Sequence, residues 1–322
     1  MTEDHSTSIP CSAARKVLNI QSHVVHGYVG NKATTFPLQM LNWDVDVLNT
    51  VNFSNHTGYG SWTGTCTTAD QLHQIYQGLK KIDAHYDGLL TGYVNGSEAL
   101  RAVGEICIDI KNKENEKRRK LTWLLDPVMG DEGEMYVSED VIPEYRKILE
   151  TGLVDIVTPN QFELELLMDT EITSMAVLKM ALKKFHQKYK VKHVILSSLF
   201  PEKIKDIPIE TENFFCCVSS IDQPHDLIFY EINKVDGYFT GVGDLFSALL
   251  LDRIHKIDDI LAAINQVLTV MKKVLQVTSS LGGGNGVIGN QNMKESELKV
   301  IESKFLYEQS LQEYDPVIVK VD

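Results

Sequence analysis

The chain has 322 residues, 43% apolar and 23% charged, with a formal net charge of −13. That composition suits a globular protein with a sizeable core, and the acidic balance excludes general nucleic-acid binding, which needs a basic surface to displace counterions. An acidic chain that binds an anion has to do so locally, through backbone N–H groups, single Lys or Arg residues, or a metal. Residues 1–14 are polar, lack the n-region and h-region of a secretory signal, and read as a mobile tail ahead of one domain over 15–322. The five cysteines, at 11, 66, 107, 216 and 217, form no C-x-x-C pair and fit a reducing, cytoplasmic compartment. Cys216 and Cys217 read as core filler. No uninterrupted apolar run approaches about 20 residues, so no membrane span is expected.

Short β-rich runs follow in order: KVLNIQ (16–21), DVDVLNTV (44–51), YDGLLTG (86–92), LTWLLDP (121–127), LVDIVTP (153–159) and KHVILSS (192–198). Segments with helical spacing separate most of them. Leu72, Ile75, Tyr76 and Leu79 share one helical face, and so do Leu178, Leu182 and Phe185. The mixed-sign run KNKENEKRRK (111–120) reads as a solvated helix end and loop. NFFCCVSS (213–220) and DLIFYEI (226–232) flank the turn-rich IDQPHD and read as a hairpin. Helix dominates from about 242 to 278, GGGNGVIGNQN (282–292) is a loop, one more helix falls near 295–311, and DPVIVKVD offers a late strand. Strands alternating with helices predict an α/β fold: a central, mostly parallel sheet with helices on both faces.

The strand runs end in polar residues: Gln21-Ser22-His23, Thr91-Gly92-Tyr93, Asp126-Pro127, Thr158-Pro159-Asn160-Gln161 and Ser197-Ser198. In a parallel sheet those carboxyl ends share one edge, where open α/β folds bind ligands. Strands also stop at polar turn residues everywhere, so the set counts for more than any member. Asp126 ends one strand, with Asp131 and Glu132 close behind; carboxylates there suit Mg²⁺, which takes one or two of them together with phosphate oxygens and waters. Glu163 has two readings, a metal or water-mediated contact and a favourable charge at a helix N-terminus.

Three glycine-rich turns compete as phosphate sites. GYVGNKATT (27–35) lacks the G-x-x-x-x-G-K-[ST] spacing of a P-loop, and no G-x-G-x-x-G follows the first strand. LGGGNG (281–286) reads as a flexible loop. In TGVGDLFSALLL (240–251), Gly241 and Gly243 free the backbone, and a helix starting near Val242 adds unpaired N–H groups and a positive dipole end. Asp244 then lies beside the anion, either as a base for an attacking hydroxyl or as a cap on a core helix.

Taken together, IQSHVVHGYVGNKATTFPLQ, VNFSNHTGYG, LTGYV, DPVMGD, TPNQFE and GVGD, in this order, resemble the pyridoxal kinases of the ribokinase-like superfamily over about residues 16–280. The resemblance implies a three-layer ribokinase-like fold and ATP-dependent phosphorylation of the 5′-hydroxymethyl group of pyridoxal, pyridoxine or pyridoxamine. It implies Mg²⁺ or another divalent ion, a monovalent cation such as K⁺, and a homodimer. By position, Ser22 and Thr57 match hydrogen-bonding partners of the pyridine substrate, Tyr93 an aromatic at its ring, and Val29, Val51 and Phe53 apolar walls. Asp126, Asp131, Thr158 and Glu163 match the cation and phosphate region. Tyr136, Asn160, Ser197, Val235 and Gly237 match the nucleotide side. Gly241, Val242 and Gly243 match the anion hole, and Asp244 the catalytic base.

Three features depart from the pattern: Val242 replaces a common Thr, Leu196 precedes Ser197 where Thr is frequent, and the flap after DPVMGD is short. Two rivals follow. A hydroxymethylpyrimidine kinase shares the G-x-G-D turn, and a non-catalytic vitamin B6-binding relative would tolerate Val242 but would not need both Asp244 and the carboxylates at 126 and 131.

Overall fold

The N-terminal strand β1 (Arg15–Val24) is buried on both faces through its middle, and the chain turns from it into α1 (Gly30–Met40). The computed structural model describes residues 13–131, 133–207, 211, 213–235, 237–282 and 290–320, with the side chains of 290–292 left aside. The predicted glycine-rich loop therefore lies largely outside the described residues. After α1 come β2 (Trp43–Phe53), β3 (Gly64–Cys66), α2 (Ala69–Lys81), β4 (Gly88–Thr91), α3 (Ser97–Glu116) and β5 (Thr122–Leu125). A small hairpin, β6 (Gly130–Asp131) and β7 (Glu134–Met135), leads to α4 (Val141–Glu150), β8 (Ile156–Val157), α5 (Gln161–Met168), α6 (Met175–Tyr189) and β9 (His193–Leu199). The predicted hairpin is β10 (Phe214–Ser220) and β11 (Asp226–Ile232), and α7 (Val242–Lys256), α8 (Ile260–Gly282), α9 (Asn290–Ser296) and β12 (Val317–Lys320) complete the chain.

Among the described residues, ten strands form one sheet in the order β12-β11-β10-β9-β8-β5-β4-β1-β2-β3. The central pairings from β9 to β2 are parallel, and the outer pairings on both flanks are antiparallel. This is the predicted α/β architecture. One face carries α2 to α6 over a core that includes Leu72, Trp123, Phe185 and Tyr189; the other carries α1, α7 and α8 over Trp43, Leu124, Tyr230 and Leu249. β1 pairs with β2 on one side and β4 on the other, so the strand order reverses at β1 and β4 and opens a crevice at their carboxyl ends. Antiparallel β3 starts at that edge, because Gly64 pairs with Phe53, and β11 ends there, because Ile232 pairs with Phe214. Residues 54–63, 233–235 and 237–241 are thus delivered to the same edge.

Helix starts follow local chemistry. α2 and α5 open on capping boxes, Thr68 with Gln71 and Asn160 with Glu163, and Ser174 caps α6. Several expectations need correction. Ile75 is 48% exposed, so the buried face of α2 runs through Leu72 and Tyr76. The charged run after 110 is not all solvated: Lys111 and Glu114 are buried, and Lys111 donates to Asp155 and to the Leu121 carbonyl. The helical stretch after 242 is two helices, broken at 257–259, where Asp259 accepts the Leu261 N–H at 2.9 Å. Helix α8 has a window of mean hydropathy 1.3 and meets the length and composition of a membrane span, although Asn265, Gln266 and Thr269 interrupt its apolar sequence. Its buried side chains pack in the core beside α7. The helix expected near 295–311 does not form: α9 is Asn290–Ser296, taking up the end of the expected loop, and consecutive turns with a 3₁₀ turn at Lys304–Leu306 follow it, with Leu298 and Val300 buried.

Candidate active site

The helix α7 begins at the carboxyl edge with Gly241 as its N-cap, at φ +80 and ψ 10, and no side chain caps it. The N–H groups of its first turn therefore have no partner inside the helix and no side-chain acceptor. Gly241 is tight against the Tyr28 carbonyl, where a Cβ would collide. Asp244 is the third helical residue. Its carboxylate does not cap α7 but accepts the N–H of Gly30, at the start of α1. Burial raises its pKa to about 6, and the Gly30 N–H opposes that rise.

Asp126 stands across from this turn. A Cβ on Gly243 would lie 3.6 Å from Asp126 Oδ2, so the glycine turn and this carboxylate face each other. Asp126 is buried; burial first, and then the charge of Asp244, raise its pKa, while the hydroxyls of Thr158 and Ser247 oppose the shift. Thr158 Oγ1 and Ser247 Oγ are 3.1 Å apart, and Ser247 reaches Asp126 Oδ2 at 3.5 Å. Two buried carboxyls at one sheet edge, both raised by burial and Asp126 also by the charge of Asp244, are an arrangement that a bound cation relieves.

Glu163 is fully occupied locally. Oε1 accepts the Met129 N–H and Oε2 the Asn160 N–H, both at 2.9 Å, while Asn160 donates to the Gly130 carbonyl at 2.7 Å. These bonds tie the loop after Asp126 to the start of α5. Burial and the charge of Asp126 raise the Glu163 pKa well above the usual range. Of its two sequence readings, the structure favours a capping and positioning role, leaving only spare lone pairs for a water-mediated contact. Asp131 ends the short β6 strand in the same loop, and Tyr136, 56% exposed, follows β7 with its N–H on the Met129 carbonyl. Ser197 lies within β9 rather than at its end, its N–H and Oγ both directed to the Pro159 carbonyl. Val235 is partly buried and Gly237 exposed on the segment after β11.

The other half of the site surrounds β1 and β4. β1 runs past the predicted end to Val24, with an irregularity between Gln21 and His23, and Ser22 packs directly on Gly30. Val29 and Val51 are buried, and Phe53 sits 6.3 Å from the Trp62 ring. Thr57 starts a single 3₁₀ turn, Thr57–Tyr59, where His56 accepts the Gly58 N–H. Tyr93 follows β4, its carbonyl accepting from Thr50 at 2.7 Å. Lys32, the residue that hinted at a P-loop, donates to the Val25 carbonyl.

The structure thus gathers Asp126, Thr158, Gly243 and Asp244 closely and sets Ser22 and Val29 beside them through Gly30. It places Val235 and Gly237 on the segment after β11 and Tyr136 on the loop after β7. Sequence reasoning missed Ser247 and Tyr145. Ser247 was legible, three residues after Asp244 on one helix face. Tyr145 gave no signal; its buried hydroxyl has no partner among the described residues and feels the charges of Glu163 and Asp126.

Comparison with known proteins decides the family. The profile of the family described as "Phosphomethylpyrimidine kinase" matches residues 91–289. A Saccharomyces cerevisiae protein, BUD16, is 46% identical over 91% of this chain and 95% of its own, and the pyridoxal kinase of Sus scrofa is 39% identical over 90% and 91%. The chain belongs to the pyridoxal kinase family. It is therefore a kinase enzyme, and the family reaction is ATP-dependent phosphorylation of vitamin B6 vitamers. A pyridoxal kinase structure from Leishmania donovani, in complex with ADP and pyridoxine, superposes with a TM-score of 0.83, at 30% identity, covering 95% of this chain and 99% of that one. The fold agrees with the ribokinase-like α/β expectation.

Proposed function

We propose that this kinase phosphorylates the 5′-hydroxymethyl group of pyridoxal, pyridoxine or pyridoxamine, with Asp244 as the base. The observation that carries this reading is Asp244 itself: a carboxylate in the first turn of α7, held by another element's N–H, beside an uncapped glycine turn that faces Asp126. The vitamer lies between β1 and β4. Ser22 and Thr57 hydrogen-bond its polar edge, Tyr93 stacks near the ring, and Val29, Val51 and Phe53 form the wall. Asp244 takes the hydroxyl proton as the oxygen attacks in line. The backbone N–H groups from Gly241 through Gly243 receive the charge on the phosphoryl oxygens. Val242 contributes its N–H alone. The nucleotide runs toward Thr158, Asn160 and Ser197, with Val235, Gly237 and Tyr136 at its outer side.

The donor set fits a divalent ion shared with phosphate. Among the described residues no three His, Cys, Asp or Glu side chains gather to hold a metal alone, but Asp126, with Asp131 nearby, offers the one or two carboxylates that Mg²⁺ takes alongside phosphate oxygens and waters. When bound, Mg²⁺ offsets phosphate charge. The Thr158 hydroxyl, with neighbouring carbonyls, suits a monovalent cation such as K⁺, and Glu163 supports the region through its backbone bonds. We read residues 15–322 as one domain, acting as a cytoplasmic homodimer.

The direct test is ATP-dependent formation of pyridoxal phosphate by the purified protein, with and without Mg²⁺ and K⁺. Because the matching family profile carries a pyrimidine kinase description, pyridoxal and hydroxymethylpyrimidine are run in competition; transfer to the pyrimidine alone overturns the assignment. The pH profile is a second expectation. A base works only when deprotonated, and burial lifts Asp244 to about 6. kcat/KM for pyridoxal should rise with pH up to about 6 and then level off. A limb lying in the ordinary carboxylate range, about 4, contradicts the buried base. Third, Val242→Thr adds one hydroxyl toward the phosphate. A hydrogen bond to a charged group is worth about 1.5–3 kcal/mol, so kcat/KM should gain at most tens-fold. Rescue of an inactive parent by this change would contradict an active native enzyme.

A further inference from the structure

The C-terminal segment crosses the site at one residue that the family signatures do not include. Glu297 is buried, its side chain 9% exposed. The Tyr59 hydroxyl donates to its Oε1 at 2.5 Å, and His26 Nε2 stands 3.9 Å from Oε2. Its backbone forms a parallel bridge with Thr240, whose N–H donates to the Ser296 carbonyl at 3.2 Å. Gly27, at φ +92, lies so close that a Cβ would strike the Glu297 carboxylate. One turn earlier, the Met293 methyl presses on Gly58, which likewise has no room for a Cβ. Three segments therefore meet at this one residue: 26–30, which carries Val29 and Gly30, and 57–59, which carries Thr57, at its carboxylate, and 240–244, the glycine turn, at its backbone.

A carboxylate is well chosen for this place. Charge-assisted hydrogen bonds are about twice as strong as neutral ones, and a buried carboxylate that loses its donor is costly. Release of Tyr59 would leave Glu297 with that cost, so the turn at 57–59 is held down. We propose that Glu297 is a positioning residue that clasps the vitamer loop, through Tyr59, to the anion turn at Thr240, and so sets the span between Thr57 and Asp244 across which the vitamer lies. The inference rests on the vitamer pocket described above.

The test is steady-state kinetics on the full-length enzyme for Tyr59→Phe, Glu297→Ala, Glu297→Gln, the Tyr59→Phe/Glu297→Ala double variant and Thr57→Val, with thermal midpoints. KM for pyridoxal should rise about tenfold in Tyr59→Phe and Glu297→Ala, while KM for ATP stays within about twofold. The double variant should be no worse than Glu297→Ala, because both remove the same bond. Glu297→Gln keeps an acceptor and should recover most of the affinity. A fall in thermal midpoint with the pyridoxal KM unchanged, or additive effects in the double variant, overturns the clasp. Should Glu297→Ala not fold, Tyr59→Phe, which deletes one hydroxyl, carries the same KM test. Thr57→Val separates the two levels: if it too leaves the pyridoxal KM unchanged, the pocket reading fails and the clasp with it. If it raises that KM and Tyr59→Phe does not, the clasp alone fails.

Discussion

Asp244→Asn is expected to lower kcat by roughly 10²–10⁴-fold, the usual worth of a general base, with KM for both substrates little changed. The amide keeps the size of the side chain and an oxygen that can accept the Gly30 N–H, so the geometry of the turn survives while the proton acceptor is lost. The rival view, a carboxylate that merely caps a core helix, predicts a loss of stability instead. The structure separates the two. The N-cap is Gly241, α7 has no side-chain cap, and the Asp244 carboxylate bonds across to α1. The sign of the pKa shift sharpens the contrast. A carboxyl held at about 6 is destabilised in its charged form by folding, so stability falls as pH rises through the interval from its unfolded value to about 6. A neutral amide escapes that cost. The thermal midpoint of Asp244→Asn at pH 8 should therefore equal or exceed that of the parent. A variant with near-normal turnover removes Asp244 as the base; one that is inactive because it unfolds at pH 8 returns it to the capping role.

The sheet edge was legible because parallel strands are apolar until they leave the core, so Asp126, Thr158 and Ser22 stand out where the apolar runs end. Element boundaries were less so. Strand β3 was missed since its three residues are exposed and its sequence, GTC, has no alternation to read. The expected late helix failed for a physical reason: Leu298, Ile301 and Phe305 have helical spacing, yet Ile301 and Phe305 are exposed, and the buried pair is Leu298 with Val300. Glu163 was named for the cation and phosphate region, but nothing in TPNQFE tells that both its oxygens are taken by backbone N–H groups. Glu297 was invisible, because its significance comes from Tyr59, 238 residues away in sequence. Short-range chemistry is written in spacing; contacts closed by the fold are not.

Gly241→Ala should cost about 10²–10³-fold in kcat/KM, comparable to the loss of an anion-hole donor, and should also lower the thermal midpoint. Two effects act together. At φ +80 an L-residue with a Cβ is strained by roughly 1–2 kcal/mol. The added methyl also meets the Tyr28 carbonyl, a backbone atom that cannot rotate away. Relief requires Tyr28 to move, and with it Val29 and Gly30, whose N–H holds Asp244. One methyl therefore disturbs Asp244, Val29 and the glycine turn at once, the three parts to which the proposed mechanism gives the base, the vitamer wall and the anion hole. Gly243→Ala is the informative comparison. Its backbone is helical, and its Cβ would meet only Asp126 Oδ2, at an ordinary 3.6 Å. That variant should keep its thermal midpoint and lose activity by intruding on the space between the turn and Asp126, seen as a raised KM for ATP. Equal thermal midpoints for the two variants would mean that the close packing of Gly241 on Tyr28 does not hold the active site together; a lower midpoint for Gly241→Ala alone ties the catalytic turn to the α1 entry through that single contact.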